Sequence, residues 1–161
     1  MSLPECDFYV GIDWAAQTHA ACVQDAAGKI TAQFTIEHTA DGFAALLARL
    51  GRLADDPMQV SVALERPDGR LVDALLEAGY PVVPVSPNAI KTWRDGEVLS
   101  GAKSDAGDAA VIAEYLRLRS HRLRPATPFT PATRALRTVV RTRDDIVAMR
   151  TATANQLTAL L

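Results

Sequence analysis

Four acidic residues at three separate places in the chain have the type and spacing best suited to chemistry. Asp13 ends an apolar run near the N-terminus, Glu65 ends a second one, and Asp105 and Asp108 open a later helical pattern. An ionised carboxylate is costly to bury without a compensating partner. We therefore interpret these positions as a group whose negative charge is balanced by cations.

The spacing of these residues suggests which cations would suit them. If the two apolar runs are paired strands, Asp13 and Glu65 become neighbours, and two carboxylates about 4 Å apart repel by about 4 kcal/mol at an effective dielectric of 20. Asp105 and Asp108 project from one helix face, where the helix dipole keeps them ionised. Oxygen ligands of this kind suit Mg²⁺ or Mn²⁺, and two such ions can clamp the attacking and leaving oxygens of a phosphodiester. Ordinary helix capping is the alternative interpretation of the Asp105/Asp108 pair alone.

The elements that must position these residues follow from apolar periodicity. Strands are predicted at residues 8–13, 20–24, 30–36, 60–64 and 82–85. Helices are predicted after Thr39 or Asp41, after Gly69, near residues 88–94 and over residues 105–118. The last strand is expected near a sheet edge because Pro84 has no N–H to donate. A three-stranded meander followed by alternating helices and strands predicts an α/β domain, a mixed five-stranded sheet flanked by helices.

Three segments are predicted along the chain. Residues 1–120 form the α/β domain, residues 121–131 form a linker with three prolines, and residues 132–161 begin a long helix without glycine or proline. The apolar pattern of that helix continues to the final residue, so we expect a piece of a longer protein. Arg143 and Arg150 interrupt its apolar face, yet a coiled coil that makes the protein a homo-oligomer is a plausible role for it.

The net charge of −2 conceals two halves of opposite sign. Residues 1–90 hold 5 Lys/Arg against 12 Asp/Glu, and residues 91–161 hold 12 against 7. Arginine-rich surfaces grip phosphate, although a solvated helical surface has the same composition. The candidate nucleic-acid contacts are Lys103, Ser104, Arg117, Arg119, Arg122 and Arg124. No apolar run is long enough to span a membrane and no signal peptide is evident, which predicts a cytoplasmic protein. Binding of DNA by these arginines would make it nucleoid-associated.

Three motifs taken together carry a family resemblance. GIDWA at residues 11–15, LERPDG at 64–69 and KSDAGDA at 103–109 resemble the N-terminal domain of DEDD transposases of the IS110 insertion-sequence type, relatives of the Piv-like DNA invertases. The resemblance implies an RNase H-like fold of the RuvC kind. It also implies Asp13, Glu65, Asp105 and Asp108 as a metal-binding tetrad for Mg²⁺ or Mn²⁺, and cleavage and strand transfer on DNA.

The resemblance further implies parts that lie outside this sequence. Family members carry a C-terminal domain with a serine implicated in strand transfer, and they are associated with a structured RNA that selects DNA partners. Where family members often have a Thr/Gly-rich stretch after the glutamate, this chain has Arg-Pro-Asp-Gly at residues 66–69. Asp68 is interpreted there as a helix cap.

Two other functions fit parts of the same sequence. An actin-like or sugar-kinase ATPase also opens with Gly-Ile-Asp, but it needs a glycine-rich phosphate hairpin that residues 15–19 do not supply. A nucleic-acid-binding or dimerisation module, inactive without the further domain, stays open. Among the remaining residues, His19 and His38 are predicted to be surface histidines and Trp14 a core aromatic at a strand end.

Overall fold

A computed structural model describes residues 3, 5–15, 17–65, 69–97, 105–128 and 130–159, with only the backbone of residues 97, 105 and 106. The strands are β1 (Phe8–Asp13), β2 (Thr18–Asp25), β3 (Ile30–Glu37), β4 (Val60–Leu64) and β5 (Val82–Pro84). The helices are α1 (Ala40–Leu50), α2 (Arg70–Glu77), α3 (Pro87–Glu97), α4 (Asp105–Arg119) and α5 (Pro131–Ala159), with 3₁₀ turns at Pro57–Gln59 and Ser120–Arg122.

The five strands form one mixed sheet in the order β3-β2-β1-β4-β5. β2 runs antiparallel to both β1 and β3, whereas β4 is parallel to β1 and β5 is parallel to β4. β2 is therefore the one strand of this sheet that runs against the others, which is the RNase H-like arrangement. The predicted mixed sheet flanked by helices is confirmed, and Pro84 lies in the edge strand β5, as its missing N–H requires.

The predicted element bounds differ from the observed ones mainly at element ends. β1 and β4 have the predicted limits, whereas β2 begins at Thr18, two residues before the predicted start, because Thr18 still pairs with Glu37 of β3. β5 ends at Pro84, and the N–H of Val85 donates to the carbonyl of Leu64. α3 is longer than predicted and spans Pro87–Glu97.

Helices cover both faces of the sheet because the strands bury side chains on both faces. On one face, Val10 and Ile12 of β1 pack in a core that includes Leu46 and Leu50 of α1 and Leu75 of α2. The N-terminus of α1 is capped by the hydroxyl of Thr39, which accepts from the N–H of Gly42 at 3.0 Å, so the first of the two proposed caps is the one used.

On the opposite face, α4 lies directly against β1. A Cβ added to Gly11 would clash with the backbone carbonyl oxygen of Ala109 and the backbone nitrogen of Ala113, both in α4. Ala109 and Ala113 are themselves fully buried. Glycine on the strand and alanines on the helix thus allow the two backbones into direct contact.

The direction of α4 follows from its contacts at both ends of β1. Near its C-terminus, the Arg117 guanidinium lies against Gly28, in the turn that joins β2 and β3. That turn is at the end of the sheet where β1 begins, because Phe8 pairs with Asp25. The N-terminus of α4 therefore points toward the carboxyl end of β1. The amide of Gln24 in β2, buried in the same layer, donates to the carbonyl of Ala110 at 3.4 Å and ties α4 to the sheet.

The chain divides into two compact units, residues 1–127 and residues 128–161. The division lies within the predicted linker, residues 121–131. The first part of that segment belongs to the α/β unit, since Leu123 packs on its core and the N–H of Ala126 donates to the carbonyl of Val82 at 2.7 Å. The second unit contains α5, none of whose described residues is buried. In the part of the chain that the structure describes, no helix has both the length and the hydropathy to cross a membrane.

The contact at Gly11 leads to a stability prediction. We expect Gly11→Ala to lower the free energy of unfolding by about 3 kcal/mol or more, because the new methyl group meets helix backbone that cannot move aside without shifting α4. Gly96→Ala in α3 is the matched control, since nothing lies within 4 Å of the added Cβ. It should be neutral or stabilising by up to about 1 kcal/mol. Denaturant unfolding of both variants measures the difference, and equal effects would contradict the role given to Gly11.

Candidate active site

Asp13 and Glu65 are brought together by the pairing of β1 with β4. Ile12 pairs with Leu64, so Asp13, the last residue of β1, and Glu65, which follows β4, come next in the same register. Neighbouring strands in a sheet lie about 4.8 Å apart. Both residues are only partly exposed. The sequence-based expectation that these two positions become neighbours is thus met by the register of the strands.

The face on which Asp13 lies is fixed by the alternation of the strand. Side chains two residues apart along a strand point to the same face. Asp13 therefore points to the face of Gly11, which is the face that α4 covers. Glu65 stands in the same relation to Ala63, which is buried among the residues of that layer. Asp13 consequently belongs to the side of the sheet that carries α4, and continued alternation predicts the same side for Glu65, which follows β4.

Asp108 approaches the same edge from the first turns of α4. It immediately precedes Ala109, which lies against Gly11, two residues before the end of β1. Its carboxylate is held by α3, because the Arg94 Nη2 is 2.7 Å from the Asp108 Oδ1. Both side chains are about three-quarters buried, with 29% and 27% of their surface exposed, so solvent screens this ion pair only partly.

The four predicted ligands are not equally described. The strand register and the helix direction place Asp13, Glu65 and Asp108 at one edge of the sheet. The side chain of Asp105 lies outside the described residues, as do Lys103, Ser104 and Asp68. Among the side chains that the structure describes, no three His, Cys, Asp or Glu residues are close enough to hold one metal ion. The tetrad therefore stays a prediction.

The donor set at this edge fits a hard divalent cation. Carboxylate oxygens are the ligands that Mg²⁺ and Mn²⁺ prefer, and Asp13 and Glu65 supply them from adjacent strands. The N-terminus of α4 adds the positive end of the helix dipole, which attracts negative charge. The carboxylate of Asp108 has a cationic partner already in Arg94, so a cation that uses Oδ1 must share or displace this ion pair.

Trp14, the residue that follows Asp13, belongs to a cluster of four aromatic and imidazole rings. Trp14 packs against His19 with ring centroids 4.4 Å apart, and His38 lies edge-on to both of them and to Phe43. His19 is completely buried, so the prediction of a surface histidine was wrong for it. The reason is non-local, because the side chains that pack on His19 are Trp14, which follows β1, and His38, which follows β3. Trp14 is half-buried at the end of β1, packed against the core.

The hydrogen bonds of this cluster fix its protonation. The N–H of Ala15 donates to Nδ1 of His19 at 3.2 Å, and Nε2 of His19 lies 2.8 Å from Nδ1 of His38. His19 accepts at Nδ1, so its proton is on Nε2 and is donated to His38. Burial first, and the nearby His38 second, lower the pKa of His19 below its ordinary value. The neutral imidazole of His19 thus accepts a hydrogen bond from Ala15 and stabilises the segment that follows Asp13.

The arginines predicted to contact nucleic acid lie toward the other end of α4. Arg117 packs against Gly28, and the Arg119 Cζ lies 5.1 Å from the centroid of the Trp93 ring. Arg122 and Arg124 are exposed in the segment that follows. Nine residues separate Asp108 from Arg117, which is about 13 Å along a helix. The acidic and basic residues therefore occupy opposite ends of one helix.

This chain is similar to proteins that are named as transposases. The family model for DEDD transposases of the IS110 type matches residues 10–161. A protein of Sinorhizobium fredii named as the transposase y4uE is 31% identical over 153 residues, which is 92% of this chain. A protein of Streptomyces coelicolor named as a mini-circle transposase for IS117 is 34% identical over 154 residues, which is 95% of this chain. This chain spans 42% and 37% of the lengths of these two relatives.

Among solved structures, the chain is similar to Thermus thermophilus RuvC in complex with a Holliday junction substrate. The TM-score is 0.46 and the sequence identity is 18%, over 74% of this chain and 99% of the RuvC chain. The large terminase nuclease of the thermophilic phage G20c is similar with a TM-score of 0.41 and 15% identity, over 66% of this chain and 54% of that nuclease.

The buried imidazole predicts a pH dependence of stability. Because the pKa of His19 is lower in the folded chain than its ordinary value of 6.5, the unfolded chain takes up the proton first. The contribution of neutral His19 is fully present above about pH 7.5 and is lost as the pH falls through 6.5. The slope from this residue is at most about 1.4 kcal/mol per pH unit.

Denaturant unfolding between about pH 7.5 and 5.5 measures this slope. We expect His19→Gln to flatten the pH dependence and the exposed His121→Gln to leave it as in the parent chain. An unchanged slope in His19→Gln would show that another group takes up the proton.

Proposed function

Because the chain belongs to the family of IS110-type DEDD transposases, we propose that its α/β unit cuts and joins DNA phosphodiesters with divalent cations held by carboxylates. The observation that carries the proposal is the shared sheet edge of Asp13, Glu65 and Asp108. The register of β1 and β4 makes the first two neighbours, and the contact at Gly11 brings the start of α4 to the same edge.

In this proposal each carboxylate has its own role. Asp13, at the end of the central strand β1, would be a ligand for both of two ions. Glu65 would serve one of them, and Asp108 with Asp105 the other. When bound, Mg²⁺ or Mn²⁺ would stabilise the charge that develops on the phosphodiester oxygens. Arg94 holds Asp108 at the edge through its ion pair.

The remaining parts of the proposal concern the complete protein. Since the chain spans about two-fifths of the length of its curated relatives, strand transfer during insertion-sequence transposition is proposed for the whole polypeptide. We propose DNA in the nucleoid as its substrate and a structured RNA as a further partner. The two exposed arginines, Arg122 and Arg124, are suited to phosphate contacts, which position a duplex without reading its sequence.

Substitution of the central carboxylate tests the proposed chemistry. Asp13→Asn keeps the size of the side chain but removes the charge that holds cations. We expect it to lower Mg²⁺-dependent DNA cleavage or strand exchange by the complete protein by more than about 100-fold. We also expect it to abolish the rise in melting temperature that Mn²⁺ gives to the parent protein.

Asp55→Asn is the matched control, because Asp55 is an exposed carboxylate in the loop between α1 and β4. It should leave both the cleavage rate and the Mn²⁺-dependent rise in melting temperature unchanged. Full cleavage by Asp13→Asn would rule out the proposed carboxylate site. Loss of cleavage with an unaltered response to Mn²⁺ would rule out Asp13 as a metal ligand.

A second proposal, that α5 joins copies of the protein, rests on the exposed apolar side chains of that helix. Large apolar residues with 44–69% of their surface exposed recur at the three- and four-residue spacing of a helix face. They are Leu136, Val139, Val140, Ile146, Val147, Met149 and Leu157. Such a repeat is typical of a coiled-coil seam, and the arginines that interrupt it at one heptad position favour a limited number of strands and a fixed register.

A charge placed on this face should separate the copies. We expect Ile146→Lys to weaken self-association by at least about tenfold, because the ammonium group must be buried in the seam. Ala148→Lys adds the same charge about 200° around the helix and should leave the association unchanged. Sedimentation over a range of protein concentrations measures both variants. A parent chain that stays monomeric at every concentration would contradict the proposal.

A further inference from the structure

A groove between α3 and α4 is lined by residues that have no part in the carboxylate site. It has a volume of about 510 Å³, within the range typical of small-molecule sites. Its lining includes Asn88, Ala89, Thr92 and Trp93 from α3 and Tyr115 and Arg119 from α4. We propose that this groove binds an unpaired nucleobase, with its phosphate, of a nucleic acid bound to the protein. This inference rests on the proposed function.

The aromatic wall of the groove is held rigidly. The Trp93 and Tyr115 rings meet edge to face with centroids 5.7 Å apart and an angle of 76° between their planes. The Arg119 guanidinium covers the Trp93 ring at 5.1 Å, which adds a cation–π contact. Rings held in this way offer a stacking surface that loses little conformational entropy on binding, and every base has a face that can stack on an aromatic side chain.

The polar groups of the groove match the rest of a nucleotide. Arg119 is the charged group that lines it, and a guanidinium suits phosphate or stacks on a base. Asn88 and Thr92 offer an amide and a hydroxyl, which can bond to base edges. The indole N–H of Trp93 is buried and has no hydrogen-bond acceptor within the described structure. A ligand that supplies an acceptor would satisfy this donor.

The position of the groove relates it to the carboxylates. Trp93 is adjacent to Arg94, whose guanidinium bonds to Asp108 at the start of α4. Tyr115 is seven residues beyond Asp108, so both lie on the same side of α4, about 10 Å apart along its axis. At a spacing of about 3.4 Å per nucleotide of a duplex strand, this separation is about three nucleotides. A base held in the groove would therefore belong to a nucleotide about three positions from the phosphate at the carboxylates. That base would be displaced from the stack of its strand.

The expected behaviour is tested by binding of short oligonucleotides to the full chain without divalent metal. The chain has two tryptophans, Trp14 and Trp93. The quenching that the parent chain shows and Trp93→Phe does not show is therefore the quenching of Trp93. We expect single-stranded oligonucleotides to quench this part and a blunt duplex to quench it much less. Separate DNA and RNA oligonucleotides identify which nucleic acid supplies the base. If saturating single strands of DNA and of RNA both left the Trp93 signal unchanged, the proposal would be overturned.

Variants separate stacking from general attraction by charge. Trp93→Ala should weaken single-strand binding by about 5- to 100-fold, whereas Trp93→Phe keeps a ring and should bind within about threefold of the parent chain. Arg119→Ala should weaken binding and lower the slope of log affinity against log salt by about 1. Arg49→Ala is the matched control, because it removes a similar cation–π contact, to Phe34, on the other face of the sheet.

The outcomes distinguish this proposal from the carboxylate site. If Arg119→Ala and Arg49→Ala weakened oligonucleotide binding equally, binding would follow net charge alone, and the proposed base groove would be overturned. Parent-like binding by Trp93→Ala would do the same. Because the assay contains no metal and no cleavage step, its result does not depend on whether the carboxylates hold cations. Failure of the base groove and failure of the carboxylate site are thus separate results.

Discussion

The direct contact of α4 with β1 at Gly11 determines where the residues of the candidate site lie. Helix backbone reaches strand backbone there because Gly11 has no side chain and its partners in the helix are alanines. The contact is close to the carboxyl end of β1, and the first turn of α4 consequently arrives beside Asp13. Any larger residue at position 11 would push the helix away and take Asp108 with it.

This arrangement concentrates negative charge, which the protein itself partly balances. Carboxylates on adjacent strands, about 4.8 Å apart, repel by about 3.5 kcal/mol at an effective dielectric of 20. The N-terminal end of α4 and the Arg94 guanidinium bring positive charge to the same edge. Arg94 bonds to Asp108, and in the proposed site divalent cations would add positive charge beside Asp13 and Glu65 on the adjacent strands.

Features that depend on local sequence patterns were predicted correctly. Buried apolar runs defined β1 and β4 to the residue, and the missing donor of Pro84 defined the edge. The order of the acidic residues also indicated the family. Contacts between distant segments were not predictable in this way. Burial of His19 depends on Trp14 and His38, from two other parts of the chain, and the Arg94–Asp108 ion pair depends on how α3 crosses α4.

The groove shows most clearly why such contacts escape a sequence. Trp93 and Tyr115 are 22 positions apart, and neither belongs to a motif. They meet because Ile90 of α3 and Ile112 and Leu116 of α4 are buried in one core layer. That packing turns the polar side of α4 toward α3, with Asp108 at one end and Arg119 at the other. Since the helix is anchored to β1 by its alanines, the distance from the acidic end to the aromatic wall is set by the helical rise alone. In the proposed complex, one rigid helix would thereby set the spacing between a phosphate at the carboxylates and a base in the groove.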